Sequence, residues 1–219
     1  MKKADVRARI QEFGIVPGIR VATPEHARFA AEAVNRSGIP IAEITMTVPG
    51  ALDVIAHLTH SFPEMVVGAG TVLSVETARR CLEAGAMFLT STGLVPQVVE
   101  FALQNDTLVF PGAMTPTDLI AGWNMGADFI KIYPCGPLGG PSYIRALKLP
   151  FPQVPLIATG GVNQRTAGDF ILNGAAAVGI GSELINPEGL PSMQEEQIRE
   201  LARRYLKIVK AARAQKDGG

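Results

Sequence analysis

The sequence is poor in the features that mark several large classes of protein. It has two cysteines, Cys81 and Cys135, far apart in the chain. That is too few for a disulfide framework and suits a reducing compartment. It has no charge excess, since twenty basic residues face twenty acidic ones. A nucleic-acid or membrane-surface partner would demand a basic surplus, so neither is expected. No apolar run reaches the length of a membrane span. The opening MKKADVRARIQEFG carries no apolar signal-peptide core, and Ile10 and Phe13 among its charges suggest a short amphipathic helix over 1–13. Histidine is scarce too. His26 and His57 fall in helical patterns, and with His60 they form no ligand cluster near a strand end, so no metal and no cofactor is expected. These absences together describe a cytoplasmic protein.

What is present is apolar and periodic. Of 219 residues, 47% are hydrophobic, enough for a sizeable core in one domain spanning 1–219. Short apolar runs read as strands at 15–21, 40–46, 65–69, 87–91, 107–110, 128–133, 154–158 and 176–180. Helical patterns follow each of them, at 24–36, 49–61, 74–84, 95–105, 115–124, 142–147, 163–172 and 193–213, and 215–219 reads as a frayed tail. Thr23-Pro24, Thr115-Pro116 and Asn163 are plausible helix starts. Alternating βα units imply a parallel sheet. Repeated this often in this length, they point to a single α/β domain folded as a closed (β/α)8 TIM barrel, with an open doubly wound sheet as the alternative.

Four segments argue for closure: SGIPIAEITM, AGAMFLTSTG, MGADFIKIYP and NGAAAVGIGS. Each opens near a glycine (Gly38, Gly85, Gly126, Gly174) of the kind that ends a helix in a left-handed cap. The fifth residue after that glycine is Glu43, Thr90, Lys131 and Gly179. The preceding positions, Ala42, Leu89, Ile130 and Val178, are apolar. Side chains alternate along a strand, so the first set shares one face. In an eight-stranded barrel, alternate strands supply the four side chains of one interior layer. An acid, a hydroxyl, an amine and an empty space would then meet near the C-terminal strand ends, where such barrels keep their active sites.

Lys131 is the anomaly in this pattern. It interrupts the apolar run Phe129-Ile130-Lys131-Ile132-Tyr133, and lysine is among the least often buried residues. A parallel strand is covered on both faces, which leaves a structural ion pair with Glu43 or a functional amine. A buried environment disfavours the charged form of an amine and frees its lone pair, as a Schiff-base nucleophile requires.

The ordered set IAEITMTVP, VVGAGTVL, PGAMTPTDL, FIKIYP and ATGGV resembles the 2-keto-3-deoxy-6-phosphogluconate and 4-hydroxy-2-oxoglutarate aldolases, class I aldolases on small TIM barrels, from about residue 10 to residue 190. The resemblance implies a reversible lyase that splits a 4-hydroxy-2-oxo acid into pyruvate and an aldehyde, assembled as a homotrimer. It makes Lys131 the amine that attacks the C2 ketone and Glu43 the acid that shuttles protons. It assigns Thr71 to the substrate carboxylate region, Arg20 to a basic position at the end of the first strand, Gly160, Gly161, Gly181 and Ser182 to the substrate's distal, phosphate-binding end, and Thr159 to the substrate-binding set. Glycine turns after the seventh and eighth strands are where barrels hold phosphate, although such glycines can simply turn the chain. Three positions depart from the family pattern. Thr47 stands where an arginine is frequent, Thr92 replaces a substrate-facing proline, and Cys135 replaces a usual alanine.

Two other readings of the same residues remain open at this point. Glu43 and Lys131 could serve an isomerase or epimerase as an acid/base pair, or the pocket could belong to a sugar-acid binding protein. The basic run RELARRYLKIVKAARAQK spaces Leu201, Tyr205, Leu206 and Val209 as one face of a helix and reads as the last barrel helix with a solvated face.

Overall fold

The computed structural model describes residues 1–189 and 195–217. Its chain alternates strand and helix: α1 (Lys3–Phe13), β1 (Ile15–Ile19), α2 (Pro24–Arg36), β2 (Ile41–Thr45), α3 (Ala51–Ser61), β3 (Val66–Gly70), α4 (Val75–Glu83), β4 (Phe88–Thr90) and α5 (Pro96–Gln104). It continues with β5 (Leu108–Phe110), β6 (Gly112–Ala113), α6 (Pro116–Asn124), β7 (Ile130–Ile132), α7 (Pro141–Lys148), β8 (Leu156–Thr159), α8 (Ala167–Leu172), β9 (Ala177–Ile180) and α9 (Glu195–Asp217). All pairs are parallel. The order is β5-β4-β3-β2-β1-β9-β8-β7-β6.

The two ends of that order close the barrel. β5 and β6 are consecutive in the chain, separated by Pro111 alone, and they are two halves of one strand. Proline has no N–H to give the ladder, so the strand is interrupted there. The Pro111 carbonyl still accepts from Lys131 N at 3.0 Å, while the Phe110 carbonyl accepts from Ser91 N at 3.4 Å. One strand thus pairs with β4 on one side and β7 on the other. This excludes the open doubly wound sheet.

Local signals account for the element ends. Gly38, Gly85, Gly126 and Gly174 all have φ between 93° and 107°, which L-residues rarely adopt. Each ends a helix and turns the chain into β2, β4, β7 or β9, five residues ahead of Glu43, Thr90, Lys131 or Gly179. Thr23 and Thr115 cap their helices, accepting from His26 N at 3.2 Å and Asp118 N at 3.3 Å. Asn163 does not start α8. Its Oδ1 accepts from Arg165 N and Thr166 N, a local turn that satisfies the backbone without a helix; α8 begins at Ala167. The last helix runs on to Asp217, past the expected 213, so 215–217 are helical. Positions 193, 194, 218 and 219 of the expected helix and tail lie outside the described residues.

The N-terminal end of the barrel is plugged by aromatic packing. Phe88 and Phe110 stack at 5.0 Å, and Phe110 meets Phe129 edge-on at 5.0 Å. Helix α1 closes this end from below. It buries Val6 and Ile10, sets Arg7 over the Phe129 ring at 5.6 Å and pairs Lys3 with Asp128 at 3.0 Å. The barrel is therefore filled at its floor among the described residues, and its cavity lies at the C-terminal mouth. Among the described residues, no helix is long and apolar enough to cross a membrane.

Candidate active site

The expected interior layer forms. Lys131 on β7 and Glu43 on β2 are 5% and 7% exposed, and Thr90 on β4 is buried with them. The Lys131 ammonium donates to Glu43 Oε1 at 3.2 Å, to Oε2 at 3.3 Å and to Thr90 Oγ1 at 3.0 Å. Three acceptors for three protons satisfy the group fully, as a buried charge requires. Glycines make the room. A Cβ on Gly70 would lie 2.2 Å from Glu43 Oε1, so the residue beside the carboxylate must lack a side chain. A Cβ on Gly179, the fourth member of the layer, would lie 2.3 Å from Thr159 Oγ1.

Above this layer lies a cavity of about 250 Å³. Its lining includes Arg20, Glu43, Thr71, Thr92, Lys131, Thr159, Gly160, Gly161, Gly181 and Ser182. The sequence-derived candidates thus converge, with one exception. Thr47 is not part of the lining. It is exposed beyond the end of β2, with its Oγ1 2.9 Å from that of Thr45. Thr45 is the residue that lines the cavity, held by its own bond to Ile19 O at 3.1 Å.

The cavity's edges differ in character. Arg20 is exposed and reaches across to Thr71 Oγ1 at 3.3 Å; Thr71 itself has φ 61°, a conformation a β-branched residue adopts only under constraint. On the opposite side, Gly160 and Gly161 have φ 84° and 87°. Among the described residues, the N–H groups of Gly161, Val162, Ser182 and Glu183 make no backbone hydrogen bond, so donors line that rim. The Thr159 hydroxyl is buried with no partner among the described residues. Cys135 packs behind the glycines with Sγ 3.4 Å from Gly160 O, and burial pushes its thiol up to about 12. It is a packing residue.

Three lining residues with polar side chains were missed: Thr45, Tyr133 and Glu183. Thr45 and Tyr133 follow Glu43 and Lys131 by two positions, so strand alternation would have found both. Glu183 carries no such signal beyond following Ser182. Among the described residues, no group of His, Cys, Asp and Glu side chains is arranged to hold a metal ion.

A parallel barrel with a buried lysine–carboxylate pair at its C-terminal mouth defines the class of the molecule. Comparison with known proteins narrows it. The family model for KDPG and KHG aldolase matches residues 6–201, and the chain belongs to that family. It is therefore an aldolase, a lyase. The KHG/KDPG aldolase of Escherichia coli K12 is 32% identical over 197 residues, covering 90% of this chain and 92% of that one. The KDPG aldolase of Legionella pneumophila, solved with pyruvate captured as a covalent carbinolamine intermediate, superposes with a TM-score of 0.84 at 29% identity, covering 90% and 96%. The 2-keto-3-deoxy-6-phosphogluconate aldolase of Zymomonas mobilis ZM4, solved with 3-phosphoglycerate, superposes with a TM-score of 0.83 at 26% identity, covering 96% and 99%.

Proposed function

We propose that this aldolase cleaves a 4-hydroxy-2-oxo acid, 2-dehydro-3-deoxy-6-phosphogluconate or 4-hydroxy-2-oxoglutarate, to pyruvate and an aldehyde through a Schiff base on Lys131. The observation that carries the reading is the buried Lys131 ammonium held by Glu43 and Thr90 at the base of the cavity. The Legionella relative captured with a covalent pyruvate carbinolamine supports it.

The chemistry follows from the contacts. Lys131 passes a proton to Glu43, 3.2 Å away, and the free amine attacks the C2 ketone. The carbinolamine loses water, with Glu43 returning the proton to the departing hydroxyl, and a protonated imine remains. Loss of the proton from the C4 hydroxyl breaks the C3–C4 bond. Its electron pair flows into the iminium to give an enamine, and the aldehyde leaves. Protonation at C3 and hydrolysis release pyruvate and restore the lysine. Glu43 is the group within reach for these transfers, and Thr90 holds the amine from a third direction.

The substrate carboxylate is assigned to the Arg20–Thr71 edge, where a cation and a hydroxyl are already paired. The distal end is assigned to the rim of Gly160, Gly161, Gly181 and Ser182, whose backbone donors suit an anion. The Zymomonas relative, solved with 3-phosphoglycerate, is consistent with a phosphorylated end. A cytoplasmic location and a homotrimeric assembly belong to the same reading. Sedimentation at micromolar concentration should give a trimer, and a monomer there would remove the assembly.

The deciding experiment is borohydride reduction in the presence of pyruvate. A stable adduct on Lys131 is expected. An adduct on another lysine, with Lys131 unmodified, would overturn the mechanism; no adduct at all would favour an acid/base isomerase or a binding protein.

A further inference from the structure

Tyr133 lines the cavity but has no part in the mechanism above. It lies two residues beyond Lys131 and one past the end of β7, where its N–H donates to Ala113 O at 3.1 Å and carries the pairing with β6 one step further. Two residues along a parallel strand is about 6.6 Å, which carries the position from the reacting amine toward the mouth. Its ring lies along Gly160, where an added Cβ would come within 3.1 Å of Tyr133 Cδ2. The ring thus stands between the lysine and the glycine rim, alongside the stretch of an extended substrate that lies beyond C4.

The hydroxyl inventory of the cavity gives this placement its meaning. Thr45 is committed to Ile19 O, Thr71 to Arg20 and Thr90 to Lys131, while at the glycine rim Thr159 is buried with no partner among the described residues and Ser182 is exposed. The Tyr133 hydroxyl has no hydrogen-bond partner among the described residues. Tyr143, by contrast, has its hydroxyl bonded to Met114 O at 2.6 Å. Polar groups inside a protein ordinarily find partners. A half-buried phenol in a cavity wall, unpaired and one step outward from the nucleophile, is placed to find its partner on the ligand. Thr92, at the end of β4, is also half-buried and without a side-chain partner among the described residues. The wall facing the middle of the substrate therefore offers neutral hydroxyls, and the cations among the described lining residues are Arg20 and Lys131.

We propose that Tyr133 is a specificity-determining residue that hydrogen-bonds a hydroxyl of the aldehyde-derived half, selecting polyhydroxylated 2-oxo acids over those whose aldehyde bears no hydroxyl. The proposal rests on the Schiff-base reading. Tyr133→Phe keeps the ring against Gly160 and removes only the oxygen. The test measures kcat/KM for aldol addition of pyruvate to glyceraldehyde and to propanal, which lacks hydroxyls, in both proteins, alongside borohydride trapping of pyruvate.

The ratio of the two specificity constants should fall about tenfold in Tyr133→Phe, equivalent to about 1.4 kcal/mol, within the usual range for one neutral hydrogen bond. An unchanged ratio, with the pyruvate adduct still formed, would overturn this proposal alone. Loss of the adduct in the variant would place Tyr133 in the imine site and also overturn its assignment to the aldehyde half. Failure of the unaltered protein to trap pyruvate would overturn the Schiff-base reading, and this inference with it.

Discussion

Lys131 and Glu43 come from β7 and β2, 88 positions apart in the chain, and face each other across the barrel at 3.2 Å. Each is the other's reason for being tolerated inside. Either one alone would be a charge buried in an apolar wall.

Glu43→Gln should keep the shape of the side chain and lose the proton relay. The rate of cleavage is expected to fall by about 10²–10⁴, the usual contribution of a positioned acid or base. Steady-state turnover checks this, and near-normal turnover would remove Glu43 from the mechanism.

The same pair sets a stability prediction. Lys131→Ala should abolish turnover and trapping, and should cost about 3–5 kcal/mol because it leaves Glu43 buried without its partner. The double variant Lys131→Ala with Glu43→Gln should recover much of that loss. Urea denaturation of the single and double variants measures the coupling, and simple additivity would mean the pair is not coupled in the folded state.

A phosphorylated six-carbon 2-keto-3-deoxy acid should be cleaved with a higher kcat/KM than 4-hydroxy-2-oxoglutarate. Charge-assisted contacts are worth roughly 1.5–3 kcal/mol, or about 10- to 100-fold. Thr47 and Glu183 pull the other way: the first supplies no cation, and the second puts a carboxylate on the rim. Glu183 is exposed and its field is screened by salt, whereas the backbone donors beside it are fixed. Equal specificity constants, with no inhibition by inorganic phosphate, would mean that Gly160 and Gly161 only turn the chain.

Alkali should destabilise the fold through its two thiols. Burial pushes Cys135 up to about 12 and Cys81 up to about 11, from an ordinary value of 9.0. A raised value means the folded protein holds the proton more tightly than the unfolded chain. The associated stability is complete below pH 9 and is lost as pH rises toward 11 and 12. The urea midpoint should fall between pH 8 and pH 10.5, and less steeply in Cys135→Ala. Both thiols should resist a thiol reagent at pH 8 until the protein is unfolded.

The interior layer was legible because four helices end on a glycine that lies five residues before the layer position of the following strand. That made Glu43, Thr90, Lys131 and Gly179 alignable before any coordinates were known. Thr47 was placed at the site from motif resemblance, where strand alternation no longer governs: β2 ends at Thr45, and beyond it the chain turns outward. The continuation of the fifth strand past Pro111 was not legible, since proline signals an end. The neighbour's use of its carbonyl, and the pairing of Gly112 and Ala113 with β7, show that the ladder goes on. Asn163 carries the composition of a helix start, yet its side chain serves a turn instead. Sequence identifies the residue type that can cap a backbone but not which backbone groups it will reach.

The phenylalanine floor has a kinetic consequence. Among the described residues, Phe88, Phe110, Phe129 and the helix beneath them floor the well, so arrivals and departures share the mouth. In the proposed reaction the three-carbon fragment is tethered at the bottom while its partner sits above it. The aldehyde must leave first and pyruvate last, and in synthesis pyruvate must enter before the aldehyde. The tether at Lys131 sets that order, and the filled floor adds that the aldehyde departs through the mouth and not past the bound fragment.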